Sequence, residues 1–332
     1  GSTGDQLRRV TALAAQVAGS LGEDVTTVSR AAQLCKADLV TKVVYEFPEL
    51  QGLMGGYYAA HAGEPDTVSR AIREHYLPTQ QGTPIPSTRA GQIVALADKL
   101  DTLAGIFAIG QKPTASKDPY ALRRAALGVL RIFIEGELAL DLRAVLQSAL
   151  ALQPAGKRDE QVLDELFEFV MERLRAWAVG QLHDGRAIAV ETFESVRALG
   201  ISQPLDVYRR VLAVHGFVQH VAAPDLAAAN KRIRNILKQA GGIAGGIEPA
   251  RFEHAAESAL LDAMNTLPQL AGSKRYTEQL VNLASLREPV DAFFDGVMVN
   301  AENAHVRANR LALLARLDAM CREVADLSCL PG

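Results

Sequence analysis

The chain has 332 residues, of which 48% are hydrophobic, 22% are charged and only 5% are aromatic. At roughly 150 residues per domain this length suggests two domains, and the shortage of aromatic and β-branched runs disfavours a β-sandwich or barrel. The formal net charge of -3 at pH 7 argues against a strongly basic nucleic-acid module. One basic face on an otherwise acidic surface remains compatible with RNA binding.

The cysteines indicate a reducing compartment, and the hydropathy pattern indicates a protein that does not span a membrane. The three cysteines, Cys35, Cys321 and Cys329, form neither an even-numbered disulfide set nor a CxxC pair for zinc. No apolar run approaches the roughly 20 residues that span a membrane, and no signal peptide opens the chain. We therefore expect a cytoplasmic protein without membrane contact. Because the chain starts at Gly1, in a loop-like stretch without methionine, we also expect a fragment of a longer protein.

Helical periodicity dominates the first half of the chain. Apolar residues recur at three- and four-residue steps, and Pro and Gly positions such as Pro48 and Gly52 interrupt them. Asp118 before Pro119 is typical of a helix N-cap followed by proline at the first helical position. The pattern predicts helices over residues 6–20, 25–46, 53–62, 66–77, 90–107, 119–135 and 140–152.

The second half of the chain is also helical, after a break at residues 153–157 that gives the best domain boundary. An amphipathic helix is predicted over 160–179. A looser connector follows over about 180–204, with a helical piece near 190–198 and a surface turn at His183-Asp184-Gly185. After Leu205 every segment is helical, and no segment alternates like a convincing strand. We therefore predict an all-α fold of two helical bundles, with domains over residues 1–152 and 153–332.

The first half resembles a degenerate HD domain, a helical metal phosphohydrolase fold with a His-Asp dyad and a distant Asp. The stretch that matches the dyad helix is residues 31–36 (AAQLCK), where Cys35-Lys36 replaces His-Asp. Only the distant carboxylate survives, as Asp98. A divalent metal needs several N and O ligands at one point, and a protonated lysine repels it. We therefore expect no metal site and no metal hydrolysis here.

Longer motifs resemble the β-subunit family of bacterial glycyl-tRNA synthetase. Two of them lie in the first half, FPELQGLMGGYYA at residues 47–59 and ALADKLDTLAG at 95–105. A third, GQKPTASKDPYALRRAAL, covers residues 110–127. Near the C terminus DAFFDGVMVN at 291–300 and RANRL at 307–311 match as well. The matches lie in both halves of the chain and in the same order.

The resemblance implies a part of an enzyme that joins glycine to tRNA-Gly with ATP and Mg²⁺, built from two α and two β subunits. The α subunit would hold the active site, ATP and Mg²⁺. This chain would bind tRNA through a helical anticodon-binding domain of the DALR type, following an HD-like domain. It would have no cofactor and no catalytic residue of its own. Its partners would be tRNA-Gly and the α subunit.

A cationic helix face is predicted between residues 227 and 240. Lys231, Arg234 and Lys238 fall at i, i+3 and i+7, away from the apolar side, with Arg232 at their flank. These cations could meet consecutive phosphates, and Asn235 could bond to a base edge. A solvated cationic face without a ligand is the alternative.

A second polar face is predicted on the helix near residues 303–320. Asn303, Arg307 and Arg310 fall at i, i+4 and i+7, away from the predicted apolar stripe, with Asn309 beside them. Arginine planes can stack on splayed anticodon bases and asparagine can pair with their edges. The alternative is an internal salt bridge, for example from Arg307 to Glu302 or Asp295.

A weaker candidate for a binding surface is a group of three cations near residues 117–124, namely Lys117, Arg123 and Arg124. They could contact tRNA, contact the α subunit, or pair with Asp98 or Asp101 inside the domain. Structural or interface roles are favoured.

The remaining motifs indicate no further functional site. The remaining histidines have no i, i+4 metal spacing, and residues 241–246 lack the Lys-Ser/Thr ending of a phosphate loop. Two alternative functions stay open: an HD-type nucleotide phosphohydrolase, against which the missing dyad argues, and a helical scaffold that binds only proteins.

Overall fold

The computed structural model describes residues 2–80, 82–114, 117–154, 158–241, 245–268 and 275–331. Within these residues the chain is built of α-helices and short 3-10 helices, with one two-stranded hairpin. The predicted all-α class is confirmed. The chain divides into two compact units, residues 1–177 with 202–205, and residues 178–201 with 206–332.

The first unit is a bundle around one central helix. Its helices are α1 (Thr3–Leu21), α2 (Val25–Leu34), α3 (Lys42–Glu46), α4 (Leu53–His61), α5 (Asp66–Glu74), α6 (Arg89–Ala108), α7 (Leu122–Glu135), α8 (Leu142–Ala151) and α9 (Glu160–Ala178). Helix α6 is buried along most of its length and packs on α1, α2, α5, α7 and α8. Its small and aliphatic residues allow this close packing on several sides.

Two features at the start of the chain differ from the prediction. The expected N-terminal loop is the beginning of α1, because the Ser2 hydroxyl accepts the Asp5 amide and the Asp5 carboxylate accepts the Ser2 amide. The single helix expected over 25–46 is broken into α2, a 3-10 turn (Ala37–Val40) and α3. Thr41 starts the new helix as its N-cap.

The start of α7 also differs from the prediction. Asp118 accepts amides at the helix start, as expected of a capping residue, from Leu122 at 2.8 Å and Arg123 at 3.0 Å. However, the helix begins at Leu122 rather than Pro119, because Ala121 takes a left-handed conformation with φ 53°. Pro119 therefore lies in the preceding turn. Residues 115–116 of this motif lie outside the described residues.

The second unit begins with the hairpin β1 (Leu182–His183) and β2 (Arg186–Ala187), paired antiparallel. The sequence did not predict these strands, but the turn predicted at Asp184-Gly185 is confirmed, with φ 52° and 76°. The helices are α10 (Val190–Arg197), α11 (Pro204–Phe217), α12 (Ala223–Ala240), α13 (Ala255–Thr266), α14 (Arg275–Ala284), α15 (Arg287–Gly296) and α16 (Ala304–Arg322). Helix α12 packs on α15, α16 and a C-terminal 3-10 helix (Leu327–Cys329).

The compact units divide later in the chain than the boundary predicted after residue 152. Helix α9 stays with the first unit, since Phe169 lies against Phe107 of α6 and Glu160 and Asp164 pair with Arg143 of α8. The predicted connector over 180–204 supplies the hairpin and α10. Residues 155–157 of the predicted break, and residues 242–244 of the glycine-rich segment, lie outside the described residues. Among the described residues, no helix is both long and apolar enough to cross a membrane.

Candidate nucleic-acid interface

Helix α12 exposes four of the predicted RNA-binding side chains together. Pro224 lies in its first turn and Gly241, with φ 69°, ends it in a left-handed cap. Its buried side is made of small and aliphatic side chains with one asparagine. The opposite side, called here the α12 face, consists of the exposed residues Lys231, Arg232, Asn235 and Lys238.

Arg234, predicted on the same face, is instead used inside the protein. Its guanidinium pairs with Asp326, a buried carboxylate that also lies 3.5 Å from Arg322. Asp326 in turn accepts the Ser328 amide and hydroxyl. Arg234 therefore fastens α12 to the C-terminal 3-10 helix, which the periodicity of α12 alone could not indicate.

A groove of about 510 Å³ adjoins the α12 face. The Arg232 guanidinium lies 4.0 Å from the centre of the Phe294 ring, and this pair forms one wall. The remaining wall is contributed by Ile236 and by residues 295–300. Met298 is 76% exposed at its rim. An arginine over an aromatic ring presents a flat cationic surface. Phe294 lies in a family motif but was not among the predicted site residues, because its partner Arg232 lies 62 residues away on another helix.

The predicted polar face at the start of α16 is corrected for two of its residues. Arg310 is 6% exposed and Asn309 is 3% exposed. The Arg310 Nε donates to Glu257 Oε1 at 3.0 Å, and its two amino groups donate to the Met298 carbonyl and to Glu253. The Asn309 side chain both accepts from and donates to the backbone of Glu248. Both residues therefore fasten α16 to neighbouring segments instead of facing solvent.

Glu257 is the buried partner that makes this arrangement possible. It is fully buried, and burial alone would raise the pKa of its carboxyl group. The hydrogen bonds from Arg310 and from the Glu253 and His254 amides outweigh burial and lower that pKa. Glu257 also completes the cap of α13 with His254. Removing Arg310 would leave this charge buried and unpaired.

The other two residues of the predicted α16 face have local roles. Asn303 is the N-cap of α16, and its side-chain oxygen accepts the His305 and Val306 amides. Arg307 is half-buried and donates to the Ala301 carbonyl at 2.8 Å. It does not form the salt bridge to Glu302 or Asp295 that the sequence left open. Arg307 binds backbone oxygens instead, so its guanidinium has no carboxylate partner among the described residues.

The cations near residues 117–124 lie in the first unit. Lys117 and Arg124 are exposed, and Arg123 donates to the Thr114 carbonyl at 2.6 Å. Arg123 also lies 3.8 Å from Asp118. Asp98 and Asp101, which the sequence left open as partners of these cations, bind other side chains. Asp98 pairs with Lys36, and Asp101 binds Arg9 through both of its oxygens.

The first unit has a buried polar cluster at the positions where the sequence resembles an HD domain, and the Lys36 ammonium lies within it. Lys36 Nζ donates to Asp98 Oδ2 at 2.9 Å and lies 3.0 Å from His75 Nε2. It also lies 3.8 Å from the centre of the Tyr76 ring. Because an ammonium can only donate, Nε2 accepts, and the ring proton is on Nδ1, which donates to the Ile72 carbonyl at 2.6 Å. His75, one of the histidines without i, i+4 metal spacing, is therefore a fully buried histidine with both ring nitrogens hydrogen-bonded.

The charges in this centre stabilise one another. Burial opposes ionisation of Lys36 and of Asp98, but the attraction between them outweighs it, so the pKa of Lys36 is raised and that of Asp98 is lowered. Burial and the adjacent ammonium lower the pKa of His75 to about 3. Burial raises the pKa of the Cys35 thiol to about 12, so this cysteine remains a neutral thiol near pH 7.

These residues do not fit the divalent metal that an active HD fold would hold. The Lys36 ammonium lies between Asp98 and His75, the two side chains that could serve as ligands, and its charge would repel a metal ion. Cys35, at the other dyad position, donates to the Ala32 carbonyl and is not ionised near pH 7. No metal-dependent step can be derived from this centre.

Comparison with known proteins gives the family. The model of the glycyl-tRNA synthetase β subunit matches residues 1–192, and that of the DALR anticodon-binding domain matches residues 226–327. Similar relatives are the glycine–tRNA ligase β subunits of Ectopseudomonas mendocina, 50% identical, and of Chromohalobacter salexigens, 46% identical. Each match covers 99% of this chain and 48% of the relative, so the chain spans about half the length of the curated relatives it matches. The chain belongs to the glycyl-tRNA synthetase β-subunit family.

Proposed function

We propose that this chain is the tRNA-binding part of a glycine–tRNA ligase, which joins glycine to tRNA-Gly with ATP, and that the α12 face contacts the anticodon side of the tRNA. The observation that carries the proposal is the position of the exposed cations Lys231, Arg232 and Lys238 beside the groove formed with Phe294. This face lies within the residues that match the DALR anticodon-binding domain.

The chemistry of this face suits single-stranded RNA. Lys231 and Lys238 lie about two turns apart on one helix side, so they can neutralise separate phosphates and release counterions. A splayed base can stack on the Arg232–Phe294 surface, where stacking is worth roughly 1–3 kcal/mol per base. Asn235 and Asn300 are exposed at the edges of the same region and can bond to base edges.

The chemical step belongs, in this proposal, to a partner. The relatives are named β subunits, which supports an α subunit as partner. The proposal assigns the active site, ATP and Mg²⁺ to that partner, in a cytoplasmic assembly of two α and two β subunits. The Lys36–Asp98 ion pair supports the part of the proposal that this centre holds no divalent metal. The same ion pair disfavours the alternative of a nucleotide phosphohydrolase.

The test measures binding of this chain to tRNA-Gly and to a second tRNA by fluorescence anisotropy across a salt series. Lys231→Ala/Lys238→Ala should weaken both complexes and reduce the salt slope by roughly 0.7–0.9 for each phosphate that is no longer neutralised. Arg232→Ala should weaken tRNA-Gly binding because the base loses its stacking surface. Arg310 is unsuitable as a variant because its removal would leave Glu257 unpaired.

Arg70→Ala is the matched control, an exposed cation on α5 in the first unit. Its tRNA affinity should equal that of the unchanged chain. If the unchanged chain binds no tRNA at low salt, the proposal fails and the protein-binding scaffold is favoured. If the α12 variants bind as tightly as the Arg70→Ala control, tRNA contacts another surface.

A further inference from the structure

A concentration of exposed apolar side chains marks one segment of the first unit. Of the sixteen large apolar side chains that the described residues expose to solvent, eight lie within residues 39–58. We call this segment the 39–58 patch. Its most exposed members are Val40 at 90%, Tyr45 at 81%, Phe47 at 54% and Tyr57 at 53%. Apolar side chains scattered singly on a surface are ordinary, whereas such a concentration indicates an interaction site.

The patch is held in place by buried polar contacts. Asp38 is 1% exposed, and its Oδ2 accepts the Gly52 amide at 2.6 Å and the Gly55 amide at 2.9 Å. Thr41 donates to the Asp38 carbonyl and caps α3. Helices α3 and α4 also pack on the adjoining 3-10 helices. The aromatic rings are therefore carried on a braced framework, which reduces the entropy lost when a partner binds.

The charge of the patch favours a protein over RNA as its partner. Residues 39–58 include one cation, Lys42, and two carboxylates, Glu46 and Glu49, all exposed. Outside this segment, Arg73 lies 4.9 Å from the centre of the Tyr57 ring. An RNA-binding surface needs an excess of cations to neutralise phosphates, whereas aromatic residues with few charges are typical of the centre of a protein interface.

The length of the relatives identifies the occupant. They are about twice as long as this chain and align with nearly all of it. Their remaining half would be joined covalently to the part that this chain matches, at an effective concentration near the millimolar range. At such a concentration a small interface holds the two parts together. We propose that the 39–58 patch docks the half of the family's β chain that this sequence does not span. This rests on family membership and not on the proposed tRNA contact.

The test compares this chain with a hybrid in which it replaces the matching half of the Ectopseudomonas mendocina β subunit. Hydroxyl-radical footprinting read by mass spectrometry reports the exposure of each ring. Labelling of Tyr45 and Phe47 should fall severalfold in the hybrid, because side chains at the centre of an interface are withdrawn from solvent. Tyr120, which is 45% exposed and lies outside the patch, is the internal control and should label equally in both proteins.

A second variant separates docking from folding. Tyr45→Ser/Phe47→Ser should leave the unfolding temperature of this chain nearly unchanged, since both side chains are exposed, yet restore Tyr57 labelling in the hybrid. Equal labelling of Tyr45 in the chain and the hybrid would overturn the proposal. Protection that appears only after the α subunit or tRNA is added would also overturn it and assign the patch to that partner. Neither outcome bears on tRNA binding by the α12 face, which is measured separately.

Discussion

Lys36 holds three segments of the first unit together through its buried ammonium. Its ammonium links the turn between α2 and the 3-10 helix Ala37–Val40 to Asp98 on α6 and to His75, next to the end of α5. A buried ion pair contributes little when compared with a well-packed apolar pair, but removing one partner is costly because the other charge stays buried. The resemblance to an HD domain predicted Cys35-Lys36 in place of a metal-binding dyad, but the sequence did not indicate that the Lys36 ammonium lies between Asp98 and His75.

Lys36→Met should therefore destabilise the chain by about 3–5 kcal/mol, the usual cost of leaving a buried charge unpaired. Urea unfolding measures this difference. Lys36→Met/Asp98→Asn should recover part of the loss, because the uncompensated carboxylate is removed. Lys42→Met, at an exposed lysine six residues later, should change stability by less than about 0.5 kcal/mol. A loss for Lys36→Met as small as that of the control would contradict the assigned role.

His75 gives the first unit a defined response to acid. Its pKa is lowered to about 3 from an ordinary value of 6.5, so between these values the unfolded chain takes up a proton that the folded chain does not. Stability present above pH 6.5 is therefore lost as the pH falls, by up to about 1.4 kcal/mol per pH unit from this residue. Urea titrations at pH 6.5, 5.5 and 4.5 should show a smaller slope for His75→Gln than for the exposed-residue control His61→Gln. Equal slopes would refute the assignment.

At the scale of elements, the sequence predicted the helices best where one apolar stripe faces one core. Helix α9, expected over 160–179, is observed over Glu160–Ala178. The predictions were wrong where distant residues decide the structure. The break within 25–46 depends on Asp38 binding the amides of Gly52 and Gly55. These bonds join positions 14 and 17 residues apart, which a helical periodicity cannot encode.

Helix α16 explains why the candidate site was only partly predictable. Arg310 falls away from the apolar stripe in the sequence, and outward charge is the usual interpretation of that position. Its partner Glu257 is 53 residues away in another helix, so nothing near Arg310 indicates burial. On α12 the same reasoning placed Lys231, Arg232, Asn235 and Lys238 on an exposed face, as observed. It also placed Arg234 there, which instead pairs with Asp326. The difference is that α12 is packed on one side, whereas α16 is buried on most sides.

Gly52 provides a test of the framework below the 39–58 patch. It has φ 79°, and a Cβ atom there would lie 2.9 Å from the Tyr76 ring. Gly63 has a similar φ of 85° but open space around it. Gly63→Ala should lower the free energy of unfolding by roughly 1 kcal/mol, from backbone strain alone. Gly52→Ala should lower it by about 1–3 kcal/mol more, because the added Cβ atom clashes with the Tyr76 ring. Thermal unfolding of the two variants checks this, and equal losses would mean that Tyr76 moves aside freely.

At the scale of the whole molecule, the distribution of charge along the chain, and not the net charge, indicates where a phosphate backbone can be attracted. Residues 206–332 contain 14 Lys and Arg and 14 Asp and Glu, so this part of the second unit has no net charge. However, residues 226–247 contain four cations and no carboxylate, and three of those cations are exposed on the α12 face. The negative net charge of the chain therefore does not oppose local attraction of a phosphate backbone, since exposed charges more than about 10 Å apart are screened at 0.1 M salt.

Charge-reversal variants distinguish tRNA binding by the α12 face from attraction that depends only on the net charge of the chain. Lys231→Glu/Lys238→Glu and Arg8→Glu/Arg70→Glu change the net charge equally, and Arg8 and Arg70 are exposed on the first unit. If the α12 face binds RNA, the first pair should weaken tRNA-Gly binding by about tenfold or more near 0.1 M salt, because fewer phosphates are neutralised. The second pair should change it little. Anisotropy titrations, with circular dichroism to confirm folding, measure both. The two double variants change the net charge of the chain by the same amount. If they weaken tRNA-Gly binding equally, binding depends on net charge and not on the α12 face.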